Sequence, residues 1–315
     1  MINLPTLRQL RHFAALADTL NFGRAAKAAN VTQSTLSASL QELEATLGAA
    51  LVDRTRRRVM LTPLGERILV RARALIADAE DLALEARGSG EPLSGELRLG
   101  VIPSVSPFWM PKALPALRKA YPKLKLYLVE DLTERLVEKL ANGGLDAALL
   151  ALPCDCGPND SYMLGRDPFR LVVRRDHALA GSPSVATREI RAQKLLLLAD
   201  GHCMKKHALA ACGLRESRES DPFAATSIFT LVQMVDNGLG VTLLPQMAID
   251  AGLLKGTNLV AIPINDDPAR DLGLAWRKGT ARRPEFELLG KALAKATLGE
   301  KKAGAGDSRS ARARV

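Results

Sequence analysis

No run of the roughly 18 or more uncharged apolar residues that a membrane helix needs occurs in the 315 residues, and Met1–Leu10 lacks the apolar centre of a secretion signal. Cysteine is scarce: four residues in a chain of this length do not make the disulfide scaffold of a small secreted protein. The expected location is therefore the cytoplasm, where a reducing medium makes any disulfide transient, catalytic or sensory. Internal repeats, a zinc-ligand spacing and a Ser/His/Asp constellation are all missing, and the four histidines are scattered. No metal, no cofactor and no enzymatic activity is expected. Acidic residues are in deficit, 34 against 44 basic ones, and the net charge of +10 calls for a polyanionic partner without distinguishing nucleic acid from a membrane surface. What is present is length: 315 residues exceed what one hydrophobic core serves, so two or three domains are expected.

Residues 1–62 read as three short helices and a basic hairpin. Leu7, Leu10, Phe13, Ala14 and Ala17 recur at helical spacing, Gly23–Ala29 forms a second helix, and Thr32 caps a third running through Leu36, Leu40, Leu43 and Leu47 to Gly48. Two short helices about a tight turn, the second polar at its start, make a helix-turn-helix. Such a helix presents short polar side chains to base edges in the major groove, which singles out Gln33, Ser34, Thr35 and Ser37. The segment Leu51–Thr62 has apolar ends around Arg54, Arg56, Arg57 and Arg58, a β-wing whose arginines would meet backbone phosphates. Residues 63–90 are expected to form a linker helix, with Ile68, Ala72, Leu75, Ala79, Leu82 and Ala86 spaced as the seam of a helical dimer or, alternatively, as the face of a surface helix packed on its own domain.

Beyond Gly88–Gly95, the best linker candidate, strands and helices alternate over residues 91–300. Strands are expected at Glu96–Ile102, Leu124–Val129, Leu145–Leu152, Leu171–Arg174, Leu195–Ala199, Val241–Leu244, Leu259–Ile262 and Leu272–Trp276. Helices are expected at Pro111–Ala120, Leu132–Ala141, Met204–Cys212, Ile228–Asn237 and Glu285–Leu298. This order predicts an α/β fold with parallel strands in two lobes, 91–165 with 269–300 and 166–268, joined by two crossovers around a cleft. Residues 301–315, without periodicity, are expected to be a disordered basic tail.

The segment from Gly201 to Cys212 carries the chemistry. Cys203 opens a predicted helix, where the positive end of the helix dipole favours a thiolate, and His202, Lys205 and Lys206 add cationic or donor groups. Nine residues of helix hold Cys203 and Cys212 about 13.5 Å apart on opposite faces, whereas a disulfide needs Cα atoms within about 7 Å. If both lie on one helix, bonding them must unwind it, so oxidation would act as a switch. Equally, Cys212 between Ala211 and Gly213 reads as a small buried hydrophobe with Cys203 incidental, and the residues alone leave both readings open. Cys154 and Cys156, two apart, would point to opposite faces of a strand, which disfavours a tight chelate, whereas in a loop they could bind metal or form a second redox pair. Asn237-Gly-Leu-Gly240 follows a helix and precedes a strand, the reverse of a phosphate loop.

The segment Ala25–Ser37, with Leu43-Glu44, Arg54-Thr55 and Leu61-Thr-Pro-Leu-Gly65, resembles the winged helix-turn-helix of LysR-type transcriptional regulators. The resemblance extends over everything except the tail and implies a two-lobed effector domain like that of periplasmic binding proteins. Gly201-His-Cys203 with Cys212, Ile102-Pro-Ser-Val105, Pro107, Tyr121–Leu124, Thr226-Ser227, Met234-Val235 and Gly240–Pro245 further resemble the peroxide-sensing members of that family. In those members the first cysteine is peroxidatic and the second resolves it, which assigns these roles to Cys203 and Cys212 and places Ser104, Thr133, His202 and Arg270 at the peroxide. Implied partners are double-stranded DNA, hydrogen peroxide, RNA polymerase, a thiol reductant such as glutaredoxin or thioredoxin, and further copies in a dimer or tetramer. Three positions depart from the pattern. Ala38 replaces a frequent arginine, Ser104 stands for threonine and Pro222 for histidine. Two alternatives remain: a LysR-type regulator gated by a small ligand between the lobes, and a thiol peroxidase, against which the helix-turn-helix argues.

Overall fold

The helical periodicity of the first 50 residues closes one core. In the computed structural model, which describes residues 3–54, 59–87, 91–154, 157, 159–213 and 225–298, Leu10, Phe13 and Leu16 of α1 (Leu7–Thr19) meet Ala25 and Ala26 of α2 (Phe22–Ala28). Leu36, Leu40 and Leu43 of α3 (Gln33–Leu47) complete that core. Each helix is started by its own side chain: Thr6, Asn21 and Thr32 accept from backbone N–H groups three residues on, satisfying donors that a helix start leaves open. Gly48 ends α3 with φ 67°, the left-handed turn glycine adopts without strain. The hairpin strands β1 (Val52–Arg54) and β2 (Val59–Leu61) pair antiparallel, and the Glu44 carboxylate accepts from the Leu51 and Val52 N–H groups at their root. The tips Arg56, Arg57 and Arg58 lie outside the described residues, as does the side chain of Arg54.

Thr62 caps α4 (Pro63–Arg87), accepting from Gly65 N–H at 2.9 Å; a side chain at Gly65 would sit 2.1 Å from the Leu51 carbonyl oxygen. The seam expected along this helix divides. Ile68 and Ala72 pack into the N-terminal core, while Leu75 and Leu82 are exposed, because the three- and four-residue spacing serves the helix's own domain in its first turns.

Chain contacts separate two units: Met1–Gly90 with Glu138–Leu145 and Gly279–Arg282, and Glu91–Val137 with Asp146–Lys278 and Arg283–Val315. The second carries β3 (Gly95–Val101), α5 (Ser106–Ala120), β4 (Leu124–Glu130), the start of α6 (Thr133–Ala141), β5 (Ala147–Leu152) and β6 (Asn159–Arg174). It continues through α7 (Thr187–Arg191), β7 (Leu195–Leu196), α8 (Cys203–Ala211), α9 (Ile228–Asp236), β8 (Val241–Pro245), α10 (Gln246–Asp250), β9 (Leu259–Pro263), β10 (Ala269–Arg277) and α11 (Arg283–Leu298).

The strand order is β4-β3-β5-β10-β6-β8-β7, with β9 also on β6. The expectation of parallel strands holds only in part. β4, β3 and β5 are parallel and so are β7 and β8, but β10 runs antiparallel to β5 and β6, and β6 antiparallel to β8 and β9. The reason is the crossovers: β6 and β10 carry the chain out and back and so lie side by side in opposite directions. β6 is 16 residues long, far beyond the expected Leu171–Arg174, and pairs with β10 along its first part and with β8 and β9 along its last. Strand β7 is shorter than expected, with only an isolated bridge from Leu198 to Ala225 following it. Leu171, Val172, Val173, Leu243 and Leu244 of these strands anchor the core beneath α8 and α9.

Candidate functional site

A charged side chain that composition alone would not bury in the second unit is Arg270, 1% exposed. Its guanidinium is tied on every side: Nε and Nη2 donate to Asp167 Oδ2 at 3.0 and 2.9 Å, Nη1 to Ser104 Oγ at 2.7 Å and Nη2 to the Ser104 carbonyl at 3.0 Å. Asp167, itself 3% exposed, uses Oδ1 to accept from Met247 N–H. A buried charge survives only when paired and hydrogen-bonded in this way. Arg270 and Asp167 are also register partners of β10 and β6, so the pair sits where the two crossover strands pass. Sequence reading found Arg270 and Ser104 but not Asp167, which lies in the part of β6 taken for a connection; its 103-residue separation from Arg270 left no local signal.

Beside this pair a small pocket opens between three turns: Ile102-Pro103-Ser104 after β3, Leu132-Thr133 after β4, and Gly201–Met204 beyond β7. Each turn leads from the carboxyl end of a strand toward the start of a helix, α5, α6 and α8, where unpaired N–H groups and the helix dipole favour negative charge. The space open to the centre of a water-sized molecule is about 10 Å3, room for one such molecule. Gly201 permits the close approach, since φ is +91° and a Cβ would stand 3.1 Å from Leu132 Cδ1. Four of the predicted residues, Ser104, Thr133, His202 and Cys203, thus line one cavity, and Arg270 stands behind Ser104.

The polar groups in the pocket are incompletely satisfied. Ser104 Oγ accepts from Arg270, which leaves the hydroxyl hydrogen free to donate. Thr133 Oγ1 is buried without a partner, and a buried hydroxyl left open costs about 1–3 kcal/mol. His202 is pushed below the ordinary histidine range by burial, opposed by a hydrogen bond to the Thr226 backbone.

Cys203 is half-buried at the first position of α8, and His202 before it makes no side-chain cap. The expected cationic neighbours are only partly supplied. Lys205 Nζ lies 2.8 Å from Asp200 Oδ1, and hydrogen bonding to Lys205 together with its charge holds the Asp200 carboxyl below its usual range. Cys212 caps the other end of α8, 3% exposed among Met204, Ala208, Leu196 and Leu198, and burial pushes its thiol up to about 11. Both are free thiols. Cys154 is disulfide-bonded and Cys156 lies outside the described residues, as does Pro222.

In the first unit Gln33, Ser34 and Thr35 are exposed on the opening turn of α3 and Ser37 is half-buried, with Ala38 exposed beside them. Thr32 Oγ1 bonds the Ser34 and Thr35 hydroxyls at 2.9 and 2.8 Å. His12, buried in α1, lies 2.8 Å from Ser39 Oγ and ties α1 to α3, a contact that periodicity did not disclose. Burial and Arg8 hold His12 below its ordinary range. Among the described residues no group of three or more His, Cys, Asp or Glu is placed to hold a metal, and no helix is long and apolar enough to cross a membrane.

Residues 7–66 match the bacterial regulatory helix-turn-helix protein family named for LysR, and residues 90–297 match the LysR substrate binding domain. The chain belongs to the LysR family of transcriptional regulators. One relative is the HTH-type transcriptional regulator EstR of Acinetobacter baylyi, 41% identical over 92% of this chain and 96% of EstR. Another is a probable hydrogen peroxide-inducible genes activator of Streptomyces viridosporus, 40% identical over 93% and 94% of the two chains. A similar solved structure is that of a cysteine-to-serine variant of Corynebacterium glutamicum OxyR with hydrogen peroxide bound, at TM-score 0.65 and 33% identity over 95% and 94%. As a LysR-family regulator the chain binds DNA through its helix-turn-helix; it is a transcription factor, and its second unit is the effector part of such a protein.

Proposed function

We propose that this regulator senses hydrogen peroxide at Cys203 and switches transcription by forming a Cys203–Cys212 disulfide. The observation that carries the reading is the pocket itself: a half-buried thiol at a helix start, a hydroxyl with a free hydrogen on Ser104 and an orphaned hydroxyl on Thr133 share a space for one very small polar molecule. Peroxide both donates and accepts, and it fits that size. The Cys203 thiolate attacks one peroxide oxygen, the O–O bond breaks, and the departing hydroxide takes a proton to leave as water, giving a sulfenic acid. Cys212 then displaces the sulfenic oxygen as a second water, with formation of the S–S bond. The same bond requires α8 to open, because its two ends stand about 13.5 Å apart.

In this reading Gln33, Ser34, Thr35 and Ser37 meet base edges and Arg54, Arg56, Arg57 and Arg58 meet phosphates. Copies pair through the exposed Leu75 and Leu82 face of the linker helix into a dimer or tetramer. Opening α8 repacks the 166–268 lobe and changes half-site spacing and contact with RNA polymerase in the cytoplasm, until glutaredoxin or thioredoxin restores the thiols.

Replacing Cys203 with serine is expected to abolish the peroxide response in a reporter assay while DNA binding persists, and mass mapping of peroxide-treated protein is expected to find the Cys203–Cys212 peptide. Normal switching by Cys203→Ser overturns the assignment. A second reading is regulation by a small ligand between the lobes, in keeping with the match to the LysR substrate binding domain. It predicts no such linked peptide.

A further inference from the structure

Two of the four histidines, His202 and His207, lie on or beside the helix that oxidation must open. His207 stands one turn beyond Cys203, so both occupy one face of α8, and this helix packs on β10 and β5. From β10 the groups acting on His207 are Arg270, buried and fixed by Asp167 and Ser104, and Asp271, half-exposed and 4.0 Å from Arg166. Strand β5 offers only alanine and leucine. On its own helix Lys205 is paired with Asp200 and Lys206 is exposed. Burial first, and then the Arg270 charge, disfavour a proton on His207, with Asp271 opposing.

We propose that His207 couples the redox switch to pH, because it lies half-buried on the helix that packs on β10 and that disulfide formation must open. This rests on the peroxide-sensing reading above. Two thiols and one peroxide give one disulfide and two waters; His207 exchanges no electrons, and its proton comes from solvent. The closed helix gains from a neutral His207 above the ordinary histidine range near 6.5, and that gain is lost as pH falls below it. Acid therefore shifts the balance toward the open, disulfide form.

The test equilibrates the full-length protein with reduced and oxidised dithiothreitol at pH 7.5 and 5.5, approached from both directions. The dithiol and disulfide fractions are read by alkylation and mass spectrometry for wild type and His207→Gln. His202 is present in both proteins, so their ratio isolates His207. On acidification the wild-type disulfide fraction, as an equilibrium ratio, is expected to rise relative to His207→Gln by up to about tenfold, the limit for one group of ordinary pKa titrating over that interval. His207→Asn is expected to behave as His207→Gln does. An identical pH response in wild type and both variants overturns the coupling while leaving the switch intact. Failure of any protein to form the Cys203–Cys212 bond overturns the sensing reading and the coupling with it.

Discussion

Helices α3 and α8 both place their working side chains on the first turn, and they are built to opposite ends. Helix α3 has 15 residues, a Thr32 cap, a left-handed Gly48 stop and three leucines buried without exposure. Helix α8 has nine residues, no side-chain cap at His202, and a buried face of Met204, Ala208 and Cys212. Short helices are marginal and depend on packing, which in the proposed reading lets α8 open while α3 stays closed. In that reading one helix start serves recognition, where rigidity fixes register, and the other serves chemistry whose product the helix cannot accommodate.

The support behind each helix can be removed. Arg270→Gln leaves Asp167 buried without its partner and is expected to cost about 3–5 kcal/mol of effector stability, seen in denaturant unfolding, and to slow oxidation of Cys203 by releasing Ser104. Leu40→Ala in α3 is expected to cost about 2–5 kcal/mol and to lower the melting transition of the DNA-binding unit with no change in Cys203 oxidation. Removing the cap with Thr32→Ala costs about 0.5–2 kcal/mol and weakens DNA binding by disordering the turn that holds Ser34 and Thr35.

The sharpest contrast uses one substitution twice. Gly48 and Gly213 both follow their helices at positive φ, 67° and 58°, and alanine at either is expected to cost about 1 kcal/mol. At Gly213 this loosens α8 and speeds disulfide formation; at Gly48 it leaves the redox rate unchanged. Stopped-flow oxidation of the two variants separates them. The thiols themselves provide a pH probe. Burial raises Cys212 to about 11, so the closed helix loses stability as pH rises from the ordinary cysteine range near 9 toward that value. In native reduced protein at pH 7.5, an alkylating reagent is expected to label Cys203 well before Cys212, and the gap is expected to narrow above pH 9.

Local pattern made much of this legible. The helix-turn-helix, its Thr32 cap and the ends of α8 follow from short-range spacing, and the pocket residues Ser104, Thr133, His202 and Cys203 from the resemblance to the peroxide-sensing members of the family. What escaped depends on distance along the chain. Asp167 meets Arg270 only because β6 and β10 pass side by side, and no periodicity announces a 16-residue crossover strand whose two parts serve different neighbours. The seam of α4 is ambiguous for a related reason: a/d spacing on a helix fits either a partner helix or its own domain, and here Ala72 packs into its own domain while Leu82 stays exposed. Lys205 stands near Cys203 in sequence, and its ammonium pairs with Asp200, five residues before it.

Amide hydrogen exchange across residues 203–212, followed in the reduced protein and after one equivalent of peroxide, tests the central claim most directly. Opening of α8 predicts slow exchange in the dithiol form and a loss of protection spanning the helix once Cys203 and Cys212 are linked. Equal protection in both forms, with the linked peptide present, would contradict it.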